Sequence, residues 1–208
     1  MSVAPVDLSA PPPKHHRPPS LPLDESRGTW AMALTILTEA FLFISLFSSY
    51  FFLAIGKHRW DVEDPPKLHW VIPMLIILLF SSVVLHWGEK QVKKQHFSAG
   101  RMALLSTVVL GLIFLVLSGF DYREHWQTLT PMSDAYGSIF YTIVSFHAAH
   151  LIIGLLILGY VFFIPRYAPA DRTPYKPYHV ASLYWHFVDV VWVFIVFILY
   201  ITPNVVRS

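Results

Sequence analysis

Five apolar runs, at about 30–55, 70–87, 102–120, 137–164 and 182–202, constrain this chain more than any other feature of it. Each is 18 to 28 residues long, enough for a helix rising about 1.5 Å per residue to cross a hydrocarbon core of ~30 Å. Of the 15 Lys and Arg and the 13 Asp and Glu in 208 residues, only Glu39 and Asp189 fall inside a run. Charged residues make up 13% of the chain, about half the ~25% of an ordinary soluble domain, which excludes a water-soluble enzyme. Backbone groups in lipid must find their hydrogen bonds within the chain. The expected fold is therefore all-α, an integral membrane bundle of five transmembrane helices.

Residues 1–28 hold seven of the 16 prolines together with Lys14, His15, His16 and Arg17. They lack the apolar core of about 7 to 15 residues that a signal peptide needs, so they are expected to be a retained, disordered, cytoplasmic tail ahead of a membrane domain at 29–208. The connecting segments are short, which predicts no extramembrane domain and makes consecutive helices antiparallel neighbours. With the N-terminus inside, the inner segments carry ten Lys and Arg and the outer ones five. Basic flanks tend to stay cytoplasmic, so the expected orientation is N-terminus inside and C-terminus outside. Trp30, Trp60, Trp70, Trp87, Trp126 and Trp185 lie at or near span ends, where amphipathic rings favour the headgroup level.

A net charge of +2 without a basic stripe gives no sign of a nucleic-acid partner. The absence of cysteine removes disulfides, thiolate metal sites and Cys nucleophiles. No pair of spans shares the Gly or Pro interruption of an inverted-repeat transporter. Small residues such as Ser45, Ser49, Ser81, Ser82, Ala148 and Gly154 mark places where helices can approach closely.

Ionisable groups at membrane depth are expensive, by about 2.5 to 3.5 kcal/mol each on insertion scales, and normally face the bundle interior. Here they are Glu39, His86, His147, His150, His186 and Asp189. Glu39 follows Trp30 by nine residues, roughly 14 Å along a helix, which places it near the midplane and level with His147 and His150. The three-residue spacing puts those two imidazoles on one face. His186 and Asp189 repeat the spacing and could satisfy each other. Four readings remain open for these groups: packing alone, a proton relay, bis-His haem ligation, or a metal held by Glu39 with the two histidines.

The run Tyr184-Trp185-His186-Phe187-Val188-Asp189-Val190-Val191-Trp192 resembles the last-helix signature of subunit III of the haem-copper cytochrome c and quinol oxidases. Asp134 through Tyr141, followed by Phe146-His147-Ala148-Ala149-His150 and Gly154, is similar to the penultimate helix of the same family. Glu39, within Trp30 through Phe43, stands where that family has a membrane-embedded, carbodiimide-reactive glutamate. The resemblance runs from about Arg27 to Pro203. Longer members have seven helices and this chain matches the last five, so the lipid-filled cleft formed with the first two is not expected from this chain alone. His179 stands where many members have Glu, and Ala148 follows the first histidine where Gly is usual.

The resemblance implies a non-catalytic subunit with no haem, copper or other metal of its own. Haem and copper are expected in partner subunits, above all subunit I, with subunits II and IV and phospholipid as further neighbours. The complex would reduce oxygen and move protons across the plasma membrane of a bacterium, and this chain would support assembly, proton uptake and stability. Glu39 is expected to bridge the first and fourth helices through His147 or His150. His186 and Asp189 are expected to face subunit I or to make an inter-helix hydrogen bond, and Trp30, Tyr184, Trp185 and Trp192 are candidate contacts to a subunit or to lipid. An accessory subunit of a nitric oxide reductase would share the fold, and a small membrane transporter is the alternative from another class.

Overall fold

The computed structural model describes residues 23–56, 68–126, 135–163 and 175–202. The expected disordered tail at 1–28 lies outside the described residues as far as residue 22, while 23–28 belong to the first helix instead; the placement of Trp60 also lies outside the described residues. Five long helices follow one another: α1 (Leu23–Gly56), α2 (Leu68–Lys93), α3 (Phe97–His125), α4 (Ala135–Phe163) and α5 (Tyr175–Ile195), the last running on into a π-helical end at Val196–Ile201. Their apolar spans are 26 to 29 residues, about 39 to 44 Å at 1.5 Å per residue, so each crosses a ~30 Å core with length to spare. The chain is a multi-pass membrane protein built only from helices among the described residues.

The helices outrun the apolar stretches of the sequence. Helix α2 continues through Gly88-Glu89-Lys90-Gln91-Val92-Lys93, α3 reaches His125, and α5 begins seven residues before position 182. Glu, Lys and Gln are good helix formers, so the loss of apolar residues marks where a helix leaves the hydrocarbon, not where it ends.

Helices α2 and α3 form a tight hairpin. The His96 N–H donates to the Gln91 carbonyl at 2.9 Å and the Gln95 N–H to that of Val92 at 3.0 Å, while Gln95 takes φ 66°. This is a Schellman closure with Gln at the left-handed position that glycine usually fills. Helix α1 departs from the expected order: its principal neighbours are α5 and α4, not α2. Helix α5 is the most enclosed of the five and α1 the least.

At the centre stands Trp185, fully buried. Its Nε1–H donates to Ser81 Oγ on α2 at 3.0 Å, and its ring edge lies where a Cβ on Gly111 of α3 would be, 2.7 Å from such an atom. In lipid the hydrophobic effect does not press helices together, so close packing and hydrogen bonds of this kind must hold them. The outer faces remain apolar, with Leu34, Phe41, Phe52, Ile76, Val83 and Leu156 all exposed, a continuous surface that lipid or a partner must cover.

Candidate functional site

Glu39 and His150 meet across α1 and α4. Glu39 Oε2 lies 2.9 Å from His150 Nε2, and His150 Nδ1 is 2.7 Å from the Phe146 carbonyl. A carbonyl only accepts, so Nδ1 carries a proton. One further proton then lies between Nε2 and the carboxyl, either on Glu39 or on the imidazole, and the pair is formally neutral in both arrangements. Such a pair avoids most of the penalty of an isolated charge in lipid. Phe43 covers the imidazole edge-on at 5.1 Å, and the Tyr184 hydroxyl donates to the His150 carbonyl at 3.4 Å.

His147 does not share this contact, although it lies only three residues away. Its ring stacks on Trp192 at 5.0 Å and 26° and meets Phe114 at 6.0 Å; neither ring nitrogen has a hydrogen-bond partner. The two imidazoles diverge because His150 faces α1 while His147 faces α3 and α5.

His186 and Asp189 are joined through a third residue instead of pairing directly. Ser82 of α2 hydrogen-bonds Asp189 Oδ2, and its Oγ is 2.6 Å from His186 Nδ1. Ser182 Oγ lies 3.2 Å from His186 Nε2. The inter-helix bond expected of these residues therefore runs from α5 to α2 through a serine that small-residue counting had marked only as a packing position.

Of the four aromatic residues expected at an interface, only Trp30 is exposed, at 68%. Tyr184, Trp185 and Trp192 are buried inside the bundle, which corrects the expectation for them. Their helix is the central one, so these rings fill the core instead of meeting lipid or a neighbouring subunit.

Two polar clusters were not anticipated. Beside the α2–α3 turn, Glu89 Oε1 is 2.9 Å from His179 Nδ1 and accepts from the Tyr175 hydroxyl at 3.3 Å. His179 thus faces a carboxylate on the neighbouring helix. At the opposite end, Asp121 is buried and accepts from the Tyr200 hydroxyl at 2.9 Å. His125 Nδ1 donates to the Asp121 carbonyl at 2.8 Å, and the Trp70 indole N–H donates to Glu124 Oε2 at 2.8 Å. The signal for the Glu89 cluster was present in the spacing of His179, Ser182, His186 and Asp189, which lie on one stripe of α5 at steps of three and four. Among the described residues, no group of three or more His, Asp or Glu side chains is arranged to hold a metal ion.

Comparison with known proteins agrees over nearly the whole chain. The family model for cytochrome c oxidase subunit III matches residues 26–203. Cytochrome c oxidase subunit 3 of Artemia franciscana is 32% identical over 177 residues, covering 82% of this chain and 67% of the relative. That of Synechocystis sp. is 30% identical over 190 residues, covering 90% and 78%, and that of Aedes aegypti is 31% identical over 179 residues, covering 82% and 68%. Neither a nitric oxide reductase accessory subunit nor a small transporter is favoured by these matches. The five apolar helices and the match over residues 26–203 agree: the chain belongs to the cytochrome c oxidase subunit III family, as a subunit III of a haem-copper oxidase.

Proposed function

We propose that the chain packs beside the catalytic subunit I, in contact with subunits II and IV and with phospholipid, in the plasma membrane of a bacterium. It supports assembly, proton uptake and stability of a complex that reduces oxygen and translocates protons. The haem and copper reside in the partner subunits, and this chain performs no redox step. Its N-terminus is cytoplasmic and its C-terminus outside, in keeping with the ten-to-five bias of Lys and Arg.

The observation that carries this reading is the neutral Glu39–His150 pair at 2.9 Å. Helix α1 is the least enclosed of the five, and this bond ties it to α4 at membrane depth without placing a net charge in lipid. A subunit that must keep a fixed outer surface for its neighbours gains from holding its peripheral helix in one register.

The test is affinity purification of the tagged chain from solubilised membranes. A haem-copper subunit I should copurify with it, together with oxidase activity. Glu39→Ala leaves His150 Nε2 unpaired, at a cost of about 1 to 3 kcal/mol. It should lower the share of complex that retains the chain, while initial turnover per haem stays near that of the unaltered complex. Recovery of the chain free of any haem-copper subunit, from membranes with intact oxidase, would refute the proposal.

A further inference from the structure

One outer face of the bundle carries an ionisable group that the bundle itself does not satisfy. His86 of α2 is exposed and has no hydrogen-bond partner among the described residues. Its ring centre is 6.3 Å from that of His186 on α5. One turn deeper on α2, Ser82 Oγ is 2.6 Å from His186 Nδ1 and hydrogen-bonds Asp189. These side chains line the seam where α2 meets α5, with Ser82 and His186 half-buried in it. Exposed apolar residues continue the face along each helix at steps of three and four, Leu79 and Val83 before His86, and Val190 and Val193 after His186.

The other ionisable groups at membrane depth have partners or are buried. Glu39 meets His150 at 2.9 Å, His147 is buried against Trp192, and His186 and Asp189 share Ser82. Exposed hydroxyls on the outer face of α1 are satisfied within their own helix: Thr35, Thr38 and Ser49 donate to its carbonyls at 2.8 to 3.0 Å. His86 has no such local outlet. A neutral imidazole presents one donor and one acceptor, and leaving them against hydrocarbon is costly. Lys90, the first cation past the apolar run, is about 6 Å from His86 along the helix and about 12 Å from Ser82. The headgroup layer on each side of a bilayer is only about 5 to 8 Å thick, so the polar seam reaches below it. Within the hydrocarbon, hydrogen-bonding side chains arrive on another transmembrane helix.

We propose that the α2–α5 seam is the surface on which a transmembrane helix of the haem-copper subunit I docks, carrying a side chain that hydrogen-bonds the His86 imidazole. Leu79, Val83, Val190 and Val193 form the apolar walls against which that helix packs. Ser82 and Asp189 hold His186 in the floor of the seam, so the partner meets a preformed surface. The inference rests on the proposed subunit role and names the face through which the chain fulfils it.

Because the chain has no native cysteine, single cysteines report its faces one at a time. In the purified complex, Val83→Cys and Val190→Cys, loaded with a thiol-reactive benzophenone and illuminated, should each give an adduct with the haem-copper subunit. Val116→Cys on α3 and Leu156→Cys on α4, at exposed positions away from the seam, should give none. His86→Leu, which suits a lipid-facing position, should instead weaken retention of the chain during detergent washing roughly tenfold, the equivalent of about 1.4 kcal/mol. His86→Gln keeps a donor and an acceptor and should retain the chain nearly as well as the unaltered protein does. Adducts with the haem-copper subunit as strong from 116 or 156 as from 83 and 190, adducts of 83 and 190 with lipid or a second copy alone, or full retention of His86→Leu would each overturn the docking face. If the haem-copper subunit still copurifies, such a failure concerns the face alone. If it does not copurify even with the unaltered chain, the subunit role fails and the docking face with it.

Discussion

Gly111→Ala should loosen the bundle at its centre. An added Cβ would lie 2.7 Å from Trp185 Cη2 and 2.8 Å from Leu155 Cδ2, where carbon atoms rest comfortably at about 3.5 to 4.0 Å. Something must therefore give by roughly 1 Å. Leu155 is half-buried and can change rotamer. Trp185 is fully buried and held by its 3.0 Å bond to Ser81, and a densely packed interior offers it no space. Overpacking of this kind costs about 1 to 3 kcal/mol, and stretching the Ser81 bond past its useful range adds about 0.5 to 1.5 kcal/mol. The better helix propensity of alanine returns at most about 1 kcal/mol, so the clash wins. Gly119→Ala on the same helix is the control, because a Cβ there meets nothing within 4 Å. The assay is stepwise heating of the solubilised complex, with retention of the chain read by native electrophoresis. The Gly111→Ala midpoint should fall by several degrees, at roughly 2 to 4 °C per kcal/mol for a chain of this size, and that of Gly119→Ala should not fall. Trp185→Phe removes the struck atom, so the double variant Gly111→Ala/Trp185→Phe should recover about 0.5 to 3 kcal/mol relative to additivity. Equal midpoints for the two glycine variants would refute the reasoning.

Gln95→Gly should stabilise the α2–α3 hairpin by about 1 kcal/mol, because a left-handed conformation costs a residue with a Cβ roughly that much; the same heating assay reads it as a raised midpoint. Because the chain has no native cysteine, Ser98→Cys, exposed near the same turn, gives a clean test of orientation. An impermeant thiol reagent should leave it unlabelled in intact cells and label it in inside-out vesicles, and the reverse pattern would invert the proposed topology.

The membrane class and the five helices were legible because lipid allows few alternatives: a run without charges that is long enough to cross must be helical. The Glu39–His150 contact was legible from depth alone, since both lie near the middle of their spans. Periodicity did not resolve which of the two histidines meets Glu39, because three-residue spacing leaves rings about 60° apart around the axis, enough to send His147 to Trp192 instead. The burial of Tyr184, Trp185 and Trp192 was hidden for a related reason. In a membrane chain both the core and the lipid face are apolar, so hydrophobic patterning cannot tell inside from outside. Glu89 and Asp121 were missed because the helices continue past their apolar segments, and residues read as loop turn out to sit on helices facing histidines.

Those histidines explain how the bundle tolerates its carboxylates. Glu39, Glu89, Asp121 and Glu124 each lie within 3.4 Å of an imidazole nitrogen, and Asp189 reaches one through Ser82. An Arg partner would stay charged in lipid, so a pair built with it would keep a charged guanidinium whichever state the carboxyl took. An imidazole can share one proton with a carboxyl and leave the pair neutral whichever group holds it. The pairs at Glu39, Glu89 and Asp189 also cross between helices, α1 to α4 and α2 to α5, so the same groups that hide charge fix the packing. Removing the imidazole should therefore do more harm than removing an apolar residue of similar size, because the carboxyl left behind must either be charged alone in lipid or give up its hold on the neighbouring helix.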